Sequence, residues 1–153
     1  MKFVLASDHA GYTVKTAVAA FLAARGIQHE DFGCGPGETV DYVDYGARAA
    51  EALSRGLFDR AVLVCGTGMG MALVANKFPG VRATACWDEY TAEMSRKHND
   101  ANCLTLGGRV LPEDEALAVL RKWLETDFEG GRHGRRMEKL RDIEKRNFKE
   151  LSP

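Results

Sequence analysis

Several short stretches of this chain carry side chains that can move protons or hold an anion. Ser7-Asp8-His9 sets an acid and a histidine directly after an apolar run. Cys65-Gly66-Thr67-Gly68-Met69-Gly70 puts a thiol and a hydroxyl into a loop with three glycines in five residues. His98-Asn99 closes a segment of helical period, and Arg109 follows Gly107-Gly108. Acid, imidazole and thiol are the groups of general acid–base chemistry. Glycines let the backbone approach a ligand closely, and N–H groups at a helix start can hold an anion or an oxyanion. A thiol beside such a start ionises below its usual value of about 8.5, which makes a usable base or nucleophile. Arg132 and Arg136, four apart on one helical face, suit a phosphate.

Three familiar chemistries are disfavoured by the same residues. A nucleotide P-loop needs a lysine after its last glycine, and none follows Gly70 until Lys77. The dinucleotide fingerprint is Gly-x-Gly-x-x-Gly after the first strand, whereas this is Gly-x-Gly-x-Gly after the third. A cysteine phosphatase loop would want arginine where Met71 stands. Taken singly, each candidate also has an ordinary structural reading. Cys65 can be a buried thiol, the glycine loop a tight turn, Asp8-His9 a helix cap with a solvent histidine. His98, at four-residue steps from Tyr90 and Met94, can be a core-edge residue, and the two arginines can be solvated.

The elements that must position these groups follow from periodicity. Apolar, β-branched runs at 3–6, 28–32, 61–64, 81–85 and 102–106 read as strands, the second weakly. Three are nearly all apolar, as in a parallel sheet covered on both faces. Between them lie helices: 12–25 with Val14, Val18, Phe21 and Leu22 on one face, 42–54, one from the glycine loop to before Pro79, and one capped by Asp88 running to about His98. Pro112 and three acids open a fifth. A highly charged sixth spans about 133–149, with a thin apolar stripe of Met137, Leu140, Ile143 and Phe148 suited to docking on a second subunit. The alternation predicts an α/β, Rossmann-like, doubly wound parallel sheet of about five strands forming a single domain over 1–153. Ligands of such sheets bind at the strands' carboxyl ends. With His98-Asn99-Asp100 brought back towards the fifth strand, one rim is expected to gather an acid, two histidines, a thiol, a hydroxyl, an arginine and the glycine loop.

Composition narrows the partners. With 153 residues, 21 basic and 22 acidic side chains and a net charge of −1, the chain has no bulk charge to favour nucleic acid or an acidic membrane surface. No apolar run is long enough for a membrane span, and the short apolar start soon meets Asp8, so a cytoplasmic protein is expected. Four cysteines without a Cys-x-x-Cys pair, and four scattered histidines, point to free thiols rather than disulfides or a zinc cluster.

Together these segments resemble the type B ribose-5-phosphate isomerase family, which includes the allose- and galactose-6-phosphate isomerases. The resemblance rests on Ser-Asp-His-Ala-Gly (7–11), Asp-Tyr (41–42), Cys-Gly-Thr-Gly-Met-Gly (65–70) and Ala-Asn-Lys-Phe-Pro-Gly-Val-Arg-Ala (75–83). It continues through Ser-Arg-Lys-His-Asn-Asp-Ala-Asn (95–102), Gly-Gly-Arg (107–109) and Phe-Glu-Gly-Gly-Arg-His (128–133). It implies an aldose–ketose isomerase that uses no metal and no cofactor and proceeds through a cis-enediolate. On that resemblance Cys65 is the carbon base, Thr67 handles the proton on substrate oxygen, and the backbone N–H groups from Gly66 to Gly70 form the oxyanion hole, with Gly66, Gly68 and Gly70 in the substrate-binding set. His98 opens the sugar ring as an acid, with Asp8 and Asn99 orienting sugar hydroxyls or assisting proton transfer. Tyr42 belongs to the substrate-binding set, while His9, Arg109, Arg132 and Arg136 grip the phosphate, the last two from a neighbouring subunit of a homodimer or tetramer. Two departures stand out: Met71 where one branch has a catalytic glutamate, and Val43 where many members have proline.

Overall fold

Phe3 and Leu5 join one apolar cluster and Val4 and Ala6 another, and all four are fully buried. That alternation is the signature of a strand covered on both faces, and it organises the whole molecule. The computed structural model describes residues 1–148. Five strands, β1 (Lys2–Ser7), β2 (Gln28–Asp31), β3 (Arg60–Cys65), β4 (Ala83–Ala85) and β5 (Cys103–Gly107), form one all-parallel sheet in the order β2-β1-β3-β5-β4. Helices α1 (Tyr12–Ala24), α4 (Glu89–Asn99) and α5 (Glu113–Glu125) supply residues to the cluster of Phe3 and Leu5. Helices α2 (Tyr42–Ser54) and α3 (Met69–Ala75) cover the other face through Ala49, Ala50, Leu53, Met71 and Ala75. Trp123 of α5 is fully buried, edge-on to Phe3 at 6.4 Å.

The doubly wound sheet expected from the periodicity is thus present, and Asp88 caps α4 as expected, accepting from the Thr91 N–H at 2.7 Å. β4 is shorter than expected. Gly80 turns the chain with φ +75°, the Val81 N–H closes that turn on the Phe78 carbonyl, and the Arg82 N–H donates to the Asn102 side chain, so pairing with β5 begins only at Ala83. The sixth helix, α6 (Gly131–Asn147), starts two residues earlier than expected because Gly130, in a glycine-type conformation, already accepts from the N–H groups of His133 and Gly134. The expected end of that helix at Lys149 lies outside the described residues. Among them no helix is long and apolar enough to cross a membrane.

Candidate active site

At the carboxyl edge of the sheet β1, β3 and β5 end side by side, with Ser7 level with Val64 and Cys65 level with Gly107. Asp8, nearly buried, accepts the Gly11 N–H at 3.0 Å, and a Cβ at Gly11 would sit 2.5 Å from the Val64 carbonyl oxygen. The close seating of α1 on β3 therefore holds the Asp8 carboxylate at the rim. His9 is exposed, its Nδ1 3.4 Å from the Val40 N–H, which ties it to the segment that enters α2. Tyr42 opens α2 behind the Asp41 cap, and its ring lies so close over Gly70 that any side chain there would collide with it. Exposed Arg109 runs its side chain over Gly66.

The loop between β3 and α3 is the centre of this arrangement. Cys65 is 4% exposed, and the Gly68 N–H donates to its Sγ at 3.2 Å. The four carbonyls from Cys65 to Gly68 are all engaged. They accept from the Gly108 N–H (2.8 Å), the Arg109 N–H (3.0 Å), Trp87 Nε1 (3.4 Å) and Thr105 Oγ1 (2.8 Å) respectively. The N–H groups of Gly66, Thr67 and Gly70, by contrast, have no partner among the described residues. A loop with these carbonyls tied back and three of its amides free is a preorganised cradle for negative charge. Thr67 is exposed at its lip. All four cysteines are free; burial pushes the thiols of Cys86 and Cys103 up, which keeps them protonated and inert at neutral pH.

The remaining predicted residues lie elsewhere, which corrects the expectation of a single rim. A crossover helix must run antiparallel to the strands it joins, so α4 ends at the amino edge of β5. His98 and Asn99 sit there, separated from Cys65 by the length of β5, about 13 Å at roughly 3.3 Å per residue. Arg132 and Arg136, exposed on the first turns of α6, share that end. The His133 ring stacks on His98 with centroids 4.1 Å apart and planes within 4°. Arg132 Nε donates to His133 Nε2 at 3.2 Å, and Glu129 lies 3.5 Å from the same nitrogen. Arg109, Arg132 and Arg136 have no carboxylate within ion-pair distance among the described residues. One chain thus places Cys65, Thr67, Asp8, His9, Arg109 and the free amides at the carboxyl edge, and His98, Asn99, Arg132 and Arg136 at the amino edge.

His98, Glu129 and His133 each offer a donor within 4.8 Å of the others, the spacing of a divalent-ion site. Their arrangement does not suit one. Parallel stacked imidazoles confine their in-plane lone pairs to separate parallel planes, which do not meet at one ion, and His133 Nε2 already accepts from Arg132. The motif reading passed over Trp87, Thr105 and His133 as working residues. The signal for Thr105 was present, since it is a lone hydroxyl in an otherwise apolar buried strand. Trp87 and His133 carried none, because what they touch is distant in sequence.

A thiol and an amide cradle at the carboxyl edge of a doubly wound parallel sheet have the chemistry to stabilise an oxyanion while a proton moves. The chain belongs to the ribose/galactose isomerase family, whose profile matches residues 3–140, and it is an aldose–ketose isomerase. It is 40% identical to ribose-5-phosphate isomerase B of Escherichia coli K12, over 95% of this chain and 97% of that one. D-erythrulose-4-phosphate isomerase of Pectobacterium atrosepticum is 36% identical over 92% and 93% respectively. The structure of ribose-5-phosphate isomerase B from Clostridium thermocellum superposes with a TM-score of 0.92 at 49% identity, covering 95% of this chain and 99% of that chain.

Proposed function

We propose that this chain interconverts D-ribose 5-phosphate and D-ribulose 5-phosphate through a cis-enediolate, with Cys65 as the base. The observation that carries this reading is the Cys65 sulfur held beside a loop whose carbonyls from Cys65 to Gly68 are engaged and whose Gly66, Thr67 and Gly70 amides are free among the described residues. Abstraction of a proton next to a carbonyl needs a base and a fixed home for the enediolate charge in one place. The Cys65 thiolate takes the proton from C2, and the electron pair moves onto the carbonyl oxygen facing Gly66, Thr67 and Gly70. The same sulfur returns the proton to C1, while the Thr67 hydroxyl relays the oxygen-bound proton between O1 and O2.

The ring-opening step requires the amino-edge residues. His98, with Asn99, protonates the ring oxygen while Asp8 takes the proton of the anomeric hydroxyl. Since His98 lies about a strand's length from Cys65 within one chain, it reaches the substrate from a second copy. That copy also brings Arg132 and Arg136 to join His9 and Arg109 on the phosphate, and its α6 packs through the exposed Leu140 and Ile143. A homodimer, or a tetramer built from it, is therefore the working form, acting as one domain per chain without a metal or cofactor.

The second substrate reading keeps the mechanism and shortens the sugar: the likeness to an erythrulose-4-phosphate isomerase supports a tetrose 4-phosphate. Ketose formation measured on ribose 5-phosphate, allose 6-phosphate and a tetrose 4-phosphate, with EDTA present throughout, decides between them. Turnover of ribose 5-phosphate that survives EDTA is expected. Turnover of only another sugar phosphate would move the substrate, and binding without turnover of any would overturn the reading in favour of a sugar-phosphate sensor.

A further inference from the structure

The peptide between Gly68 and Met69 is engaged at both ends. Its carbonyl accepts from Thr105 Oγ1 at 2.8 Å, and its N–H, on Met69, lies 3.4 Å from Thr67 Oγ1. No peptide among the described residues is cis, and across a trans peptide the C=O and N–H point in opposite directions. A hydroxyl that draws the carbonyl down onto β5 therefore turns the N–H up towards Thr67. Gly68 stands at φ +81° with no side chain to restrain it, and apart from Thr105 its carbonyl is held by the Ala72 N–H at 3.1 Å, so loss of the hydroxyl leaves the plane one restraint about which to tilt. Thr105 is fully buried in the middle of β5, between Leu104 and Leu106, and its hydroxyl is the polar side-chain group of that strand. A buried hydroxyl in an apolar strand costs stability unless it is bonded, and its bond is spent on this one carbonyl.

We propose that Thr105 is a positioning residue for the isomerisation. Its hydroxyl sets the plane of the Gly68–Met69 peptide, and through the Met69 N–H it sets the direction of the Thr67 hydroxyl. With a lone pair of Thr67 Oγ1 occupied by that N–H, the hydroxyl hydrogen is turned away from the loop, towards the substrate oxygens. The inference rests on the reading of this loop as the enediolate site. Trp87 Nε1, which holds the preceding carbonyl at 3.4 Å from a part-exposed ring, is the weaker of the two restraints.

The test compares Thr105→Val, which keeps the shape and loses the hydroxyl, with Thr105→Ser, which keeps the hydroxyl. Both are assayed on whichever sugar phosphate the wild-type chain turns over. The Gly68 carbonyl still accepts from the Ala72 N–H in either variant, so the start of α3 is retained. The expected result for Thr105→Val is a kcat lower by about 10- to 100-fold, the scale of a misplaced oxyanion-site group. KM should stay within about threefold, and Thr105→Ser should recover most of the rate, as expected for an interaction made in the transition state. The double variant Thr67→Ala/Thr105→Val should be no slower than Thr67→Ala alone. Should Thr105→Val not purify as folded protein, Thr105→Ala removes the same hydroxyl and carries the same comparison. Wild-type kcat without the hydroxyl, equal losses in the serine and valine variants, or losses that multiply in the double variant would each overturn the proposal. Thr67→Ala with full activity would instead overturn the reading of the loop itself, whatever Thr105 does.

Discussion

The imidazoles of His98 and His133 lie face to face, 4.1 Å between centroids, at the end of the sheet opposite Cys65. His133 is almost fully buried, its Nδ1 has no partner among the described residues, and its Nε2 accepts from Arg132. Burial holds its protonation below the ordinary histidine range, with repulsion from His98, Arg132 and Arg136 adding to the shift and Glu129 opposing it. The unfolded chain then binds the extra proton first as pH falls, so stability is full above about pH 6.5 and declines below it. Replacing His133 by Phe, which keeps a flat ring and cannot titrate, should flatten this decline. Thermal melts of both proteins between pH 7.5 and pH 5, conditions bracketing the usual histidine value of about 6.5, check it; an unchanged slope in the variant would assign the decline to other groups.

Cys65→Ala should abolish isomerisation while the sugar phosphate still binds. The substitution removes the base but leaves the loop amides and arginines in place. Ligand-induced thermal shifts alongside rate assays separate the two effects, and wild-type turnover in the variant would remove Cys65 from the role.

Mixing two inactive variants tests the division of the site between copies. Cys65→Ala lacks the carboxyl-edge half and His98→Asn lacks the amino-edge half. A mixed dimer places both defects in one site and leaves the other intact. After co-refolding in equal amounts, about a quarter of the wild-type activity should return, since half the dimers are mixed and each holds one good site of two. No recovery in demonstrably mixed dimers would mean that each site is built from one chain.

Arg136→Ala should raise KM by an order of magnitude or so with little change in kcat, as expected of a group that holds the phosphate equally in ground and transition states. Steady-state kinetics give the split. A fall in kcat at constant KM would place this arginine in the transition state instead.

Gly108→Ala should destabilise the fold on the order of 1–3 kcal/mol, because the new methyl group would overlap the Ala10 carbonyl in the turn between β1 and α1. Gly66→Ala meets the flexible Arg109 side chain at 3.5 Å and the Ala10 methyl at 3.9 Å, both ordinary contacts, and should fold normally. Denaturant midpoints of the two variants make the comparison.

Much of this molecule was legible in the order of its residues. Apolar runs such as that at 61–64 read as strands covered on both faces, Asp88 and Pro112 announced helix starts, and the glycines after Cys65 announced a close-packed turn from strand into helix. These are local properties, set by side-chain shape, period and capping chemistry within a few residues of one another. Three-dimensional packing alone decided which groups meet. It carried His98 to the far edge of the sheet because a parallel crossover reverses direction, and it laid Tyr42 on Gly70 and Trp87 on the Thr67 carbonyl. It also paired Thr105 with a carbonyl 37 residues earlier. Such contacts depend on how distant strands align in register, which no neighbouring residue encodes.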